Sequence, residues 1–312
     1  MPSVVREAEP GTWVIDHRFQ GSEALIASFL LPGTDGLTLV ESGPASTLPR
    51  LLEGIRAAGF DPADLRRVVL THVHLDHAGG AGSLLRHAPL ARVHVHPAGV
   101  PHLLDPARLV RSARRVFGDA MDSLWGEVLP VPADRVVALA DGEELPIGGR
   151  VLRAVFTPGH AGHHLALHEP AAGVVFTGDV AGVRLPGSVH VRPPTPPPDV
   201  DLALWRESVG RIRALGPRRL YLTHFGGFDD PGPHLDGLLA RLFFWAGWTQ
   251  AQRERGADAA QVAAGLRRLG DAEIRAAGGD DALVDRYELA VGYEMIARGL
   301  LRHLEHTAPA GG

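Results

Sequence analysis

Residues 68–77 read Val68-Val69-Leu70-Thr71-His72-Val73-His74-Leu75-Asp76-His77, an apolar run that passes directly into three imidazoles and a carboxylate. A solvated turn seldom uses three histidines, and a core segment could not bury them without partners for their ring nitrogens. Imidazole and carboxylate are the ligands that zinc, iron and manganese take. In an extended segment side chains alternate with period two, so His72 and His74 face the same side. Asp76 and His77 follow where the strand turns, and they can face a second position beside the first. The stretch reads as a metal-binding strand end.

The bulk of the chain narrows the setting. It has 312 residues, 45% hydrophobic and 21% charged, a globular composition with length for one large domain or two smaller ones. No uncharged apolar run approaches the ~18–20 residues that span a bilayer, and the most apolar helical stretch, 238–248, is broken by Arg241. Met1-Pro2-Ser3-Val4-Val5-Arg6-Glu7 lacks a basic start followed by an apolar core, so a cytoplasmic protein is expected, away from membranes. There is no cysteine, which excludes disulfides, thiolate nucleophiles and Cys-ligated metals. All 31 basic residues are arginine, which removes Schiff-base chemistry and a Walker-type phosphate loop. A net charge of −5 and the lack of a basic stripe with interleaved aromatics argue against a nucleic-acid partner.

Outward from the cluster, the pattern is that of an α/β chain. Thr12–Asp16 reads as a strand, and 25–31 with 37–41 flank a Gly33-Thr34-Asp35-Gly36 turn typical of a hairpin. Leu48, Leu51, Ile55 and Ala58 recur at helical spacing. A strand at 67–70 leads into the histidines, a helix is expected over 78–87, and a strand over 92–96. The segment from about 98 to 130 reads as a helical insertion. Strands resume at 136–139, 151–156, 165–168 and 174–177. A Pro-Pro-Thr-Pro-Pro-Pro loop (193–198) precedes an N-capped helix from Asp199 or Asp201 to Leu215, then a strand at 219–223. From Leu235 on the pattern is helical, with weak breaks at Gly256, Gly270 and Gly278-Gly279. The expected division is a catalytic domain over 1–234 and a helical extension over 235–312.

Three later polar residues repeat the logic of the first cluster. Phe156-Thr157-Pro158-Gly159-His160, Val175-Phe176-Thr177-Gly178-Asp179 and Tyr221-Leu222-Thr223-His224 each follow an apolar run with a turn and one metal-competent side chain. Residues at strand ends of α/β sheets can converge on one crevice. The run His72-Val-His74-Leu-Asp76-His77, followed in order by His160, Asp179 and His224, closely resembles the metallo-β-lactamase superfamily over residues from about 12 to 228.

The resemblance implies an α/β protein, an αββα sandwich with a dinuclear site in the cleft at one edge of its two sheets. It implies two divalent metal ions, zinc first, with iron and manganese as alternatives. His72, His74 and His160 would hold one ion, Asp76, His77 and His224 the other, and Asp179 would bridge them. A hydroxide shared by two ions about 3.5–4 Å apart would be the nucleophile, with Asp76 also serving as its orienting or proton-accepting group. The activity implied is hydrolysis of a small ester, thioester or lactone-like substrate.

Departures from the family pattern select a branch. There is no cysteine for the second site of the best-known zinc β-lactamases, and the paired aspartates resemble the glyoxalase II-type branch, in a prokaryotic subgroup without settled function. His74 stands where the diiron flavoprotein oxidases carry glutamate. Val180-Ala181-Gly182-Val183 stands where lactonases of the fold usually place a tyrosine. The family's early-strand aspartate is replaced by Glu41, a conservative change that touches support rather than ligation. The alternatives are a mononuclear iron persulfide dioxygenase using His72, His160 and Asp179, a phosphodiesterase or nuclease, and a non-catalytic descendant.

Beyond the ligands, Arg184, His190 and Arg192 lie in the long loop after Asp179 and are the candidates for binding an anionic substrate end, against a reading as surface charges. Phe243, Trp245 and Trp248 either cap the cleft or pack helices, with a homodimer interface as a further use. Tyr287, Tyr293 and Glu294 have the same core or interface reading. His163 and His164 read as structural or ligand-supporting groups.

Overall fold

The computed structural model describes residues 4–307. Its first sheet has seven strands in the order β1 (Val5–Glu9), β2 (Thr12–Asp16), β3 (Ala27–Gly33), β4 (Gly36–Val40), β5 (Leu65–Val69), β6 (Arg92–Val95) and β7 (Val136–Ala138). Strands β1 to β4 are antiparallel neighbours, and β4 to β7 run parallel. The β3–β4 hairpin closes as read, with Gly33 opposite Gly36. The second sheet, in chain order, comprises β8 (Glu144–Pro146), β9 (Val151–Phe156), β10 (Leu165–Glu169), β11 (Val174–Phe176), β12 (Arg219–Leu222) and β13 (Gly226–Phe228). Only β11 and β12 pair in parallel there. Strands β1, β8 and β13 were not anticipated, and the latter two are only three residues long.

Period-two alternation puts the sheets back to back. On β3, Phe29 and Leu31 enter the core between the sheets, with Val69, Leu152, Leu165, Leu167, Phe176 and Tyr221. Leu30, between them, faces outward to pack with Leu51, Leu52 and Ile55 of α1 (Leu48–Ala57). The far face of the second sheet, through Ala166, Val175, Leu220 and Leu222, is covered by α7 (Leu202–Ala214) and the C-terminal helices. The layers are therefore helix, sheet, sheet, helix, the αββα sandwich.

Local chemistry explains where the helices differ from expectation. The helix expected over 78–87 is two short turns, α2 (Leu75–Ala78) and α3 (Ala81–Leu84). The carbonyl of His77, which a continuing helix would use, instead accepts from the backbone N–H groups of Ser42 (2.9 Å) and Gly43 (3.1 Å) and from the Ser42 hydroxyl (2.9 Å). The insertion contains α4 (Val100–Leu104), α5 (Ala107–Phe117) and α6 (Met121–Trp125). Asp201, not Asp199, caps α7, accepting from Leu204 N–H. The C-terminal region forms α8 (Pro231–Glu254), α9 (Ala259–Ala276), α10 (Asp281–Ala290) and α11 (Tyr293–Thr307). Gly270 does not interrupt α9; the Tyr293 hydroxyl packs against it. Among the described residues no helix is long and apolar enough to cross a membrane.

The C-terminal helices share cores with the sandwich. Leu238, Leu242, Trp245, Val262, Leu266, Tyr293 and Ile296 lie in one cluster with sheet residues, and Ile274, Leu283, Val284 and Tyr287 reach the core between the sheets.

Candidate metal centre

Every residue singled out as a ligand sits at the same edge of the sandwich. His72 and His74 follow β5; Asp76 and His77 lie in the first turn of α2, for which His74 is the N-cap. His160, Asp179 and His224 follow β9, β11 and β12. Two backbone hydrogen bonds stitch the sheets together at this edge: Leu165 N–H to the Thr71 carbonyl (2.8 Å) and Ala27 N–H to the Thr223 carbonyl (2.9 Å). Residues from distant parts of the chain thereby meet.

The donor atoms fall into three overlapping groups that could hold an ion: His72, His74 and His160; Asp76, His77 and His224; and His72, His77 and Asp179. His74 Nδ1 lies 2.9 Å from His72 Nε2 and 3.0 Å from His160 Nε2. Asp76 Oδ2 is 3.3 Å from His224 Nε2 and 3.7 Å from His77 Nε2. Asp179 lies between the sets, with Oδ2 3.4 Å from His160 Nε2 and Oδ1 3.2 Å and 3.5 Å from His77 and His224 Nε2. The site opens over His74 and Asp76; its other ligand candidates are buried.

Outer hydrogen bonds aim four of the imidazoles inward. His77 Nδ1–H donates to Glu41 (3.0 Å), His160 Nδ1–H to the Pro194 carbonyl (2.8 Å) and His224 Nδ1–H to the Leu25 carbonyl (2.7 Å). His72 Nδ1 meets Thr71 Oγ1 at 3.0 Å, and that hydroxyl donates to Glu41. With Nδ1 engaged in this way, each Nε2 is turned toward the centre, where it can serve a metal ion once it carries no proton. Glu41 is the hub. Its fully buried carboxylate also accepts from Thr71 N–H (3.2 Å) and the Thr223 hydroxyl (3.4 Å). Its backbone sits at φ 66°, a costly conformation for a non-glycine residue and one that concentrates at functional sites. His164 supports Asp179 directly: its Nδ1 meets the Thr157 hydroxyl (2.8 Å) and its Nε2 accepts from Asp179 N–H (3.2 Å).

The electrostatics differ between the two sets. Burial and then the neighbouring imidazoles hold His72 and His74 well below the usual histidine range; His160 is lowered too, chiefly by burial. Burial would also lower His77, but Asp179, Asp76 and Glu41 outweigh it and lift the ring well above that range. His224 is raised in the same way against its burial, by Asp179 and Asp76. Burial opposes the carboxylate charges, yet His77 and His224 bring Asp76 down to about 2 and, with His160, hold Asp179 well below the carboxylate norm.

This donor set fits divalent ions. His77 Nε2, His224 Nε2 and Asp179 Oδ1 are buried without any hydrogen-bond partner, a costly condition. Their atoms converge on one another, so an ion can satisfy them together. Tetrahedral zinc with Zn–N of 2.0–2.1 Å places ligand nitrogens about 3.3 Å apart, close to the spacings seen here.

The loop residues expected to bind substrate have other positions, and that expectation is corrected. Arg184 pairs with Asp230 (2.7 Å), donates to the Ser188 carbonyl and lies over the Phe228 ring. Arg192 is wholly buried, stacked against Tyr287 and Tyr293, and donates to the Val291 carbonyl (2.9 Å) and the Tyr293 hydroxyl (2.6 Å). His190 is buried against Tyr287 and Trp245, 3.4 Å from Glu273. They are not surface charges: their side chains clamp this loop to the start of α8 and to the C-terminal helices, and the Arg184 backbone N–H donates to the His224 carbonyl (2.7 Å). Trp245 is core, Phe243 packs under Arg206 and Trp248 against Gly265, so none of these aromatics caps the cleft. The Leu25 and Pro194 carbonyls went unrecognised because backbone acceptors carry no residue signature.

The family model for the metallo-β-lactamase superfamily matches residues 23–224, and the chain belongs to that superfamily. The metallo-β-lactamase fold-containing protein ST1585 of Sulfurisphaera tokodaii is 33% identical over 180 residues, 56% of this chain and 66% of that protein. An atrochrysone carboxyl ACP thioesterase of Aspergillus fumigatus is 30% identical over 157 residues, 50% of this chain and 37% of its own length. A hydroxyacylglutathione hydrolase of Synechococcus sp. is 29% identical over 151 residues, 48% and 47% of the two chains. The chain thus spans less than two thirds of each of these relatives. Among solved structures, the metallo-β-lactamase family protein TTHA1429 of Thermus thermophilus superposes with a TM-score of 0.71 at 21% identity. It covers 98% of this chain and 97% of its own, a likeness of fold that takes in the C-terminal helices.

Proposed function

We propose that the protein is a dinuclear metal-dependent hydrolase, with zinc the first choice of ion, acting on a small thioester or related ester. The observation that carries this is Asp179, whose two oxygens face different ligand sets, Oδ2 toward His160 and Oδ1 toward His77 and His224. His72, His74 and His160 would hold one ion and Asp76, His77 and His224 the other. Such ions polarise an acyl oxygen and lower the pKa of water toward neutrality.

The chain's own groups then have defined tasks. Glu41, Leu25 and Pro194 keep the His77, His224 and His160 rings turned inward. Asp76, on the open side and ionised at neutral pH, is placed to orient the attacking water and accept its proton. Water adds to the acyl carbon, the bond to the leaving sulfur or oxygen breaks, and the proton is passed to that leaving atom. Thioesters are preferred because two relatives are named as a thioesterase and a hydroxyacylglutathione hydrolase. A complete Asp76–His77–His224 set favours two ions over the single-iron oxygenase reading.

Elemental analysis of freshly purified protein, with hydrolysis of acyl-pantetheine and acyl-glutathione before and after chelation, tests the proposal. Two metal equivalents and chelator-sensitive hydrolysis are expected. One iron per chain with oxygen consumption, or metal-independent turnover, would overturn it.

A further inference from the structure

We infer that the last helix of the C-terminal region, α11, is a positioning element for the first ligand set, acting on His160 through the proline-rich loop. His160 owes its inward orientation to one acceptor, the Pro194 carbonyl at 2.8 Å. That carbonyl belongs to a loop pressed along α11. The next residue, Thr195, is wholly buried and donates its hydroxyl to the Ile296 carbonyl (3.1 Å), a helical acceptor. Further along, His303 Nδ1–H donates to the Val200 carbonyl (3.0 Å).

The decisive contact is at Gly299. A Cβ there would overlap the Thr195 carbonyl oxygen and lie 2.7 Å from its carbon and 3.2 Å from the Pro196 carbonyl carbon. These are backbone atoms, which cannot swing aside as a side chain tip can. Helix and loop can approach this closely only because residue 299 has no side chain. The path from α11 to the site is short: Gly299 and Ile296 fix the Thr195 peptide, its neighbour Pro194 presents the carbonyl, and His160 is turned. Groups that orient a metal-binding histidine typically contribute 10–100-fold to affinity, so this contact reaches the metal centre without a side chain there.

The test compares three variants of the full chain. Gly299→Ala displaces the Thr195 peptide. Thr195→Val removes only the hydroxyl bond to Ile296 and is the fallback should the alanine variant fail to fold. Gly265→Ala is the control, because its Cβ would collide with the Trp248 ring between α8 and α9, away from the loop. Zinc affinity is measured by chelator competition, and the ring tautomer of His160 by ¹⁵N-histidine NMR of the metal-free protein. Gly299→Ala is expected to lose the single Nδ1–H tautomer and to weaken one of two zinc equivalents by roughly 10–100-fold. Thr195→Val should do the same to a smaller degree, about 3-fold. Gly265→Ala should lower the melting temperature yet keep both tautomer and affinity. Wild-type tautomer and affinity in the loop variants, or equal weakening in Gly265→Ala, would overturn the inference. The affinity arm rests on the two-ion reading; if the wild type takes no zinc, that reading fails while the tautomer comparison still decides the coupling.

Discussion

The segment that begins at Asp179 supplies one residue to the metal centre and three to the arginine clamp, and both regions bury histidines beside acidic groups. They differ in where their polar atoms point. In the clamp, Arg192 spends its terminal nitrogens on a hydroxyl and a carbonyl between two tyrosine rings, and Arg184 is held by Asp230, Ser188 and Phe228. Arg192 Nε and both His190 nitrogens are buried without a hydrogen-bond partner, yet among the described residues they join no cluster of donors that could hold an ion. In the metal centre the outer nitrogens are satisfied, and the inner donors gather in threes, with His77 Nε2, His224 Nε2 and Asp179 Oδ1 left without a hydrogen-bond partner. Burial and charge alone do not mark a site. Donor atoms that gather in threes within reach of one ion do, because a single cation can then offset the cost of burying them.

The comparison breaks most visibly at Asp179. Asp179→Asn should reduce chelator-sensitive thioester hydrolysis by at least ~10³-fold, about 4 kcal/mol of barrier, and lower bound metal below two equivalents by elemental analysis. Unchanged metal content would remove the bridging role.

Arg192→Leu should act as loss of a clamp, costing about 3 kcal/mol in urea unfolding as the Val291 carbonyl and Tyr293 hydroxyl lose their donor. KM should change by the same factor for an anionic and a neutral thioester. A selective rise for the anionic one would return Arg192 to substrate binding.

His190 predicts a smaller effect with a definite sign. Burial, with Arg241 and Arg192 beside it, lowers the ring to about 4 despite Glu273. The unfolded chain, near pKa 6.5, takes up the proton first, so its stability contribution is whole above pH 6.5 and fades as pH falls toward 4. Relative to His190→Gln, the wild type should lose about 2 kcal/mol between pH 7 and 5 by urea unfolding, with or without zinc. A difference abolished by zinc would mean that His190 takes part in metal binding after all.

The smallest change expected is Arg184→Gln, at about 1 kcal/mol or less, since Asp230 is half exposed to solvent. Thermal melts and the same pair of substrates check it; a charge-selective KM would contradict the clamp.

What was legible in the chain followed from chemistry that is local. His72, His74, Asp76 and His77 point to a metal by type and spacing, and the strand and helix pattern reads as an α/β chain; the αββα order is what the family resemblance of these residues with His160, Asp179 and His224 implies. The same reasoning erred at Ala78–His87, where the His77 carbonyl is claimed by Ser42 and Gly43 from another strand end. It erred again at Arg184, His190 and Arg192, where nearness in sequence to Asp179 suggested nearness to substrate.

Residue type and short-range spacing carry the metal-competent ligand set and, through it, the family resemblance that implies the layered fold. The packing of distant segments sets which cations are held within the fold, which carbonyls turn the histidines, and how α11 meets the loop beside His160 at a bare glycine. Orientation depends on atoms more than a hundred residues away, such as Ile296 on Thr195, and on backbone groups that every residue possesses. Nothing in a residue's name distinguishes the one carbonyl that does this from its neighbours.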